Sequence, residues 1–103
     1  MLKLVPEASF AAKVHIPVPG QEKDAVITAR FKFLEKEALQ AYFESLAGRE
    51  DADALVEIVV GWEGVDKPFS AENLRTLLGG YPMAALAFFE AFRSEILKAK
   101  SGN

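Results

Sequence analysis

The chain has 103 residues, 50 per cent of them hydrophobic, with 12 basic and 15 acidic side chains, a net charge of −3 and no cysteine. That length suits one domain over 1–103, and an acidic balance without a basic stripe argues against nucleic acid as a partner. Without cysteine there are no disulfides or thiolate metal sites, and the longest apolar run, the seven residues Met83 to Phe89, is far short of the ~20 that span a bilayer, so no membrane role is expected.

The opening Met1-Leu2-Lys3-Leu4-Val5-Pro6-Glu7 lacks the long apolar stretch and cleavage site of a signal peptide, and a cytosolic location is the expectation. From Phe10 to Val18, apolar Phe10, Ala12, Val14, Ile16 and Val18 alternate with Lys13, His15 and Pro17, the period of a half-buried strand. A second alternation, Ala25, Ile27, Ala29, Phe31 and Phe33, follows the polar stretch Pro19 to Asp24, so the two read as a hairpin. Pro17 cannot donate to a ladder, which puts the first strand at an edge or frays it before Pro17. A lone hairpin is marginal in water, so helices must cover its apolar face.

At about Glu35 the period changes. Ala38, Leu39, Tyr42, Phe43 and Leu46 form a helical stripe ending at Gly48. Asp51 to Val60 keeps helical spacing at Ala52, Leu55, Val56 and Val59. Ile58, Val59 and Val60 would also suit a strand, but the acids Asp51 and Asp53 favour a helix N-terminus and tip the reading to helix. Gly61-Trp62-Glu63-Gly64 then reads as a reversal, its glycines able to take positive φ, with Trp62 and Phe69 pinning the loop. Ser70 suits the N-cap of a short helix over Ala71 to Leu78, stopped by Gly79-Gly80, and Pro82 suits the first turn of a last helix running to about Lys100. Ser101 to Asn103 is expected to fray. The fold class is α+β, an N-terminal β-hairpin followed by three or four helices.

No residue set specifies catalysis, a cofactor or a metal. His15, the only histidine, stands on the polar side of its strand without a partner for ligation or nucleophile activation, and it reads as a surface residue. Glu63 and Asp66 fall short of a calcium loop, and Gly79-Gly80 lacks the lysine and hydroxyl residue of a phosphate loop. The last helix carries a stripe of Ala85, Phe89, Phe92 and Ile96, with Met83, Leu86 and Phe88 outside it. That surplus is open to two readings: a wide core helix under the hairpin, or an interface. Trp62, Tyr42 and Tyr81 could alternatively line a small-ligand pocket.

The segment from Val60 to Phe92, with Gly61-Trp62-Glu63-Gly64-Val65-Asp66, then Pro68-Phe69-Ser70-Ala71-Glu72-Asn73-Leu74, Leu77-Leu78 and Tyr81-Pro82, resembles the tail assembly chaperones of long-tailed bacteriophages and prophages. Its connector after Asp66, only Lys67 before Pro68, is shorter than the glycine-containing ones of that family. The resemblance implies a non-enzymatic protein with a β-hairpin and helices. It would bind the tape-measure protein in the bacterial cytoplasm, keep it soluble, help recruit tail tube subunits and be absent from the mature virion. Many such proteins also exist in a longer, frameshifted form. On this reading Met83, Phe88, Phe89 and Phe92 are the partner contacts, and Gly61, Trp62, Gly64, Phe69, Ser70 and Pro82 are a structural joint. Self-association is expected through the same apolar surface.

Overall fold

A computed structural model of the protein describes residues 1–98, so the expected fraying of Ser101 to Asn103 lies outside the described residues. The two alternating stretches form β1 (Ser9–Ile16) and β2 (Ala25–Lys32), antiparallel and in register from Ser9 opposite Lys32 to Ile16 opposite Ala25. Ala12, Val14, Ile16, Ile27, Ala29 and Phe31 are buried on one face, while Lys13, His15, Arg30 and Lys32 stand in solvent on the other. β1 stops at Ile16, one residue before the proline that cannot extend the ladder.

The main correction lies after the second helix. Helix α1 (Lys36–Glu44) is followed by turns through Gly48, whose φ of 78° marks the reversal, and by α2 (Asp51–Ile58). The chain then passes without a loop into a third strand, β3 (Val59–Glu63), antiparallel to β2. Val59 and Val60 therefore leave the helix expected over Asp51 to Val60, because β-branched side chains fit a pleated surface better than a helix turn. Gly61 and Trp62, expected in a reversal, are strand residues, and Gly61 has no positive φ. The ladder pairs Arg30 with Gly61 and then Phe31 with Val59, so Val60 is the extra residue of a bulge. Sheet order is β1-β2-β3, with α1 and α2 inserted between the last two strands.

Helix α3 (Ala71–Gly80) begins as expected at Ser70, whose hydroxyl accepts the Asn73 backbone N–H at 2.9 Å. It does not stop at Leu78: Gly79 and Gly80 complete its last turn, and the Tyr81 N–H reaches the Leu77 carbonyl at 3.2 Å. Helix α4 (Ala84–Leu97) starts two residues after Pro82, which lies in the preceding turn and not in the helix. It ends at Leu97, with Lys98 in a left-handed conformation; Lys100, the expected end, lies outside the described residues.

α4 lies over the apolar face of the sheet, and its Phe92 sits among the rings of Phe10, Phe31, Tyr42 and Phe43 at centroid distances of 6.0, 5.4, 5.8 and 6.2 Å. Leu55 and Ile58 of α2 and Leu74 of α3 fill the rest of one continuous core. Among the described residues no buried side-chain nitrogen or oxygen lacks a hydrogen-bond partner.

Candidate functional site

Helix α4 decides which apolar side chains are free for other molecules. Its buried line is Ala84, Phe88 and Phe92, all fully excluded from water, at the i, i+4, i+8 spacing of one helix face. This corrects the expectation for Phe88 and Phe92: both rings are filled into the protein's own core and are not presented to a partner. The expected stripe Ala85, Phe89, Phe92 and Ile96 is rotated by one residue, leaving Ala85, Phe89 and Ile96 half-buried along its flank. Exposed on the helix are Met83 at 45%, Leu86 at 55% and Leu97 at 47%.

The exposed ridge of α4 separates two hollows. On one side, a cleft of about 470 Å³ opens between α1, α2 and α4, lined by Phe43, Leu46, Ala54, Phe89, Arg93 and Leu97. Its walls are apolar, with Arg49 and Asp51 also on its rim. Arg49 is already committed, donating to Glu57 Oε2 at 2.6 Å and to Ser45 Oγ at 3.2 Å; the Glu57 contact holds its guanidinium pKa above the ordinary value. Of the four residues expected to contact a partner, only Phe89 reaches this cleft. Leu97 was missed, although Phe89, Arg93 and Leu97 follow each other at the four-residue spacing of a helix face.

On the other side, a groove of about 550 Å³ runs between β1 and α4, with Lys13, His15 and Pro17 along the strand and Met83, Leu86 and Glu90 along the helix. His15 is exposed on this rim, as expected of a surface histidine. Among the described residues no group of three or more histidines and acids is placed to hold a metal.

The three aromatics of the ligand-pocket alternative do not converge. Trp62 and Tyr81 share a hollow of about 490 Å³ at the end of the sheet, but Tyr42 is not among its lining residues. Tyr42 is instead a buried tie between α1 and α2, its hydroxyl donating to the Ala54 carbonyl at 2.7 Å. Burial, with a smaller contribution from Glu57, pushes its pKa up from 10.0 to about 12. In the hollow, Trp62 Nε1 donates to the Lys67 carbonyl at 2.9 Å and the Asn73 amide to the Pro68 carbonyl at 2.9 Å, so both donors hold the loop itself. The Trp62 ring meets Phe69 edge-on at 5.2 Å, and Gly64 turns the chain with φ of 95°. These contacts make Trp62, Gly64, Phe69 and Ser70 a brace between β3 and α3.

No helix among the described residues is long and apolar enough to cross a membrane. A family model described as phage tail assembly chaperone matches residues 1–103, the whole chain. No curated protein and no solved structure matches it.

Proposed function

Because the chain belongs to the phage tail assembly chaperone family, we propose that it binds the tape-measure protein by seating an amphipathic helix of that protein in the cleft between α1, α2 and α4. The supporting observation is the combination of half-buried Phe89 and exposed Leu97 on an apolar floor of Phe43 and Leu46. A visiting helix presents apolar side chains at i, i+3, i+4 and i+7, which is the repeat a groove between helices accepts. Each large apolar side chain it buries contributes ~1.5–3 kcal/mol, so three or four give ~5–12 kcal/mol before association costs of at least ~4 kcal/mol, which leaves at most micromolar binding, weak enough to release the tape-measure protein.

The role is binding, not catalysis. It is exercised in the bacterial host's cytoplasm, includes recruitment of tail tube subunits, and leaves no copy in the mature virion. Phe89 remains a contact residue in this proposal and Leu97 joins it. Met83 lies across the ridge, in the other groove.

Co-expression with the tape-measure protein, followed by size-exclusion chromatography with light scattering, tests the reading. A soluble stoichiometric complex is expected with the wild type, and its loss is expected with Leu97→Asp at unchanged far-ultraviolet circular dichroism. An intact complex with Leu97→Asp would remove the cleft as the docking place. An insoluble tape-measure protein in the presence of the wild type would remove the tape-measure reading itself.

A further inference from the structure

Residues 1–7 hold apolar side chains that nothing among the described residues covers. Leu2 and Leu4 are 96% and 99% exposed, and Val5 is exposed beside them. Among the described residues the segment's one ion pair, Lys3 with Glu7, is internal to it. Its link to the fold begins at Ala8, whose carbonyl accepts the Phe33 N–H at 2.9 Å.

Among the described residues the outer edge of β1 is also uncovered, since β1 pairs there with β2 alone. The Ala8 to Phe33 bond sets the parity of the ladder: Phe10, Ala12, Val14 and Ile16 direct their backbone groups to β2, and Ala11, Lys13 and His15 direct theirs outward. Beside that edge lies the groove holding Met83 and Leu86.

We infer that residues 1–5 of one copy add as an antiparallel strand to the β1 edge of a second copy, with Leu2 and Leu4 seated in its groove beside Met83 and Leu86. Three features fit this occupant. Five extended residues span ~17 Å, which an eight-residue strand of ~27 Å accommodates. In an antiparallel addition, arm residues bonded to Ala11 or Lys13 share their outward side-chain face, so Lys3 and Val5 make the backbone bonds and Leu2 and Leu4 turn to the groove. The same parity turns the nitrogen of Pro6 away from β1, where its missing N–H costs nothing, whereas a parallel addition would aim that nitrogen at the edge.

The arm cannot fold back on its own β1 in this way. Ala8 already continues the ladder, which leaves Pro6 and Glu7 for a two-residue reversal. The turns that suit such a hairpin need positive φ at the first position, and proline is locked near −65°. The strand therefore comes from another molecule. Its groove and the Phe89 cleft lie on opposite sides of the α4 ridge, so self-association through the arm leaves the proposed partner site open, in contrast to the expectation of one shared surface.

The native chain has no cysteine, which makes a cross-linking test clean. Leu4→Cys and Leu86→Cys, purified separately and mixed under mild oxidation, should give a disulfide-linked heterodimer in high yield, while neither cross-links comparably alone. Light scattering on the wild-type chain should show a dimer or larger species, and Leu2→Asp with Leu4→Asp should be monomeric with an unchanged far-ultraviolet circular dichroism spectrum. A monomeric wild type, an oligomer that survives the double substitution, or a disulfide formed within one chain in the combined variant would each overturn the inference.

Discussion

Replacing Phe92 by alanine separates a core ring from a contact ring. Phe92 is fully buried and touches four other aromatic rings at centroid distances from 5.4 to 6.2 Å. A buried phenylalanine truncated to alanine costs ~3–5 kcal/mol, made of lost transfer energy and the cavity left behind. Favourable aromatic pairs add ~0.5–1.5 kcal/mol each beyond area, which puts Phe92 in the upper half of that range, about 4–5 kcal/mol. For a domain with total stability of ~5–15 kcal/mol this removes a quarter or more. The melting temperature should fall by ~15–30 °C. The urea midpoint should fall by about 2 M. Trp62, braced against Phe69 at the β3 end of the sheet, reports global unfolding by fluorescence, and coincidence with far-ultraviolet circular dichroism checks that unfolding is two-state. Leu86→Ala, on the exposed ridge of the same helix, should stay within ~0.5 kcal/mol of wild type. A Phe92→Ala loss below ~1 kcal/mol with the tape-measure complex abolished would put the ring on the surface and refute the assignment.

Two further outcomes follow from the tyrosine and the glycines. Tyr42→Phe removes the donor to the Ala54 carbonyl and should cost ~1–3 kcal/mol at neutral pH, measured by urea titration. With the Tyr42 pKa raised from 10.0 to about 12, the fold favours the neutral phenol. That contribution is complete below pH 10 and is lost as pH rises through about 12, so wild-type stability should fall across this window by ~2–3 kcal/mol more than that of Tyr42→Phe. Gly64→Ala should lower stability by ~1–2 kcal/mol in a thermal melt, because its φ of 95° is strained for any residue with a Cβ, although that Cβ would meet the Ile27 Cα at an ordinary 3.5 Å. Gly61→Ala should be near neutral, its Cβ meeting only the Arg30 Cβ at 3.7 Å, and equal losses at the two positions would contradict the strand placement of Gly61.

The hairpin was legible because a half-buried antiparallel pair writes its two faces into alternating residues, and Ala12, Val14, Ile27, Ala29 and Phe31 do so without interruption. β3 was not, for a local reason: it is five residues long, contains Gly61, and the bulge at Val60 breaks the alternation that would have announced it. Its pairing with β2 is a tertiary fact that overrode the helical spacing of Leu55, Val56 and Val59. The Ser70 cap was readable because a hydroxyl before an apolar run has a defined local bond to make. Phe88 and Phe89 were not separable, since they stand ~100° apart on a helix that is apolar almost all round between Met83 and Phe89. Only the position of Phe31 and Phe10 beneath α4 decides which of the two rings enters the core. The same packing leaves Met83, Leu86 and Leu97 at the surface.

The helix that covers the sheet is also the last described element of the chain. During synthesis at ~5–20 residues per second the hairpin and α1 emerge well before α4 does, and they wait with Phe10, Phe31 and Tyr42 uncovered until Phe88 and Phe92 leave the ribosome. Both hollows flanking α4 come into being at that moment. A nascent or truncated copy lacking α4 would offer only a sticky sheet, which makes the emergence of α4 the event that turns an aggregation hazard into a chaperone.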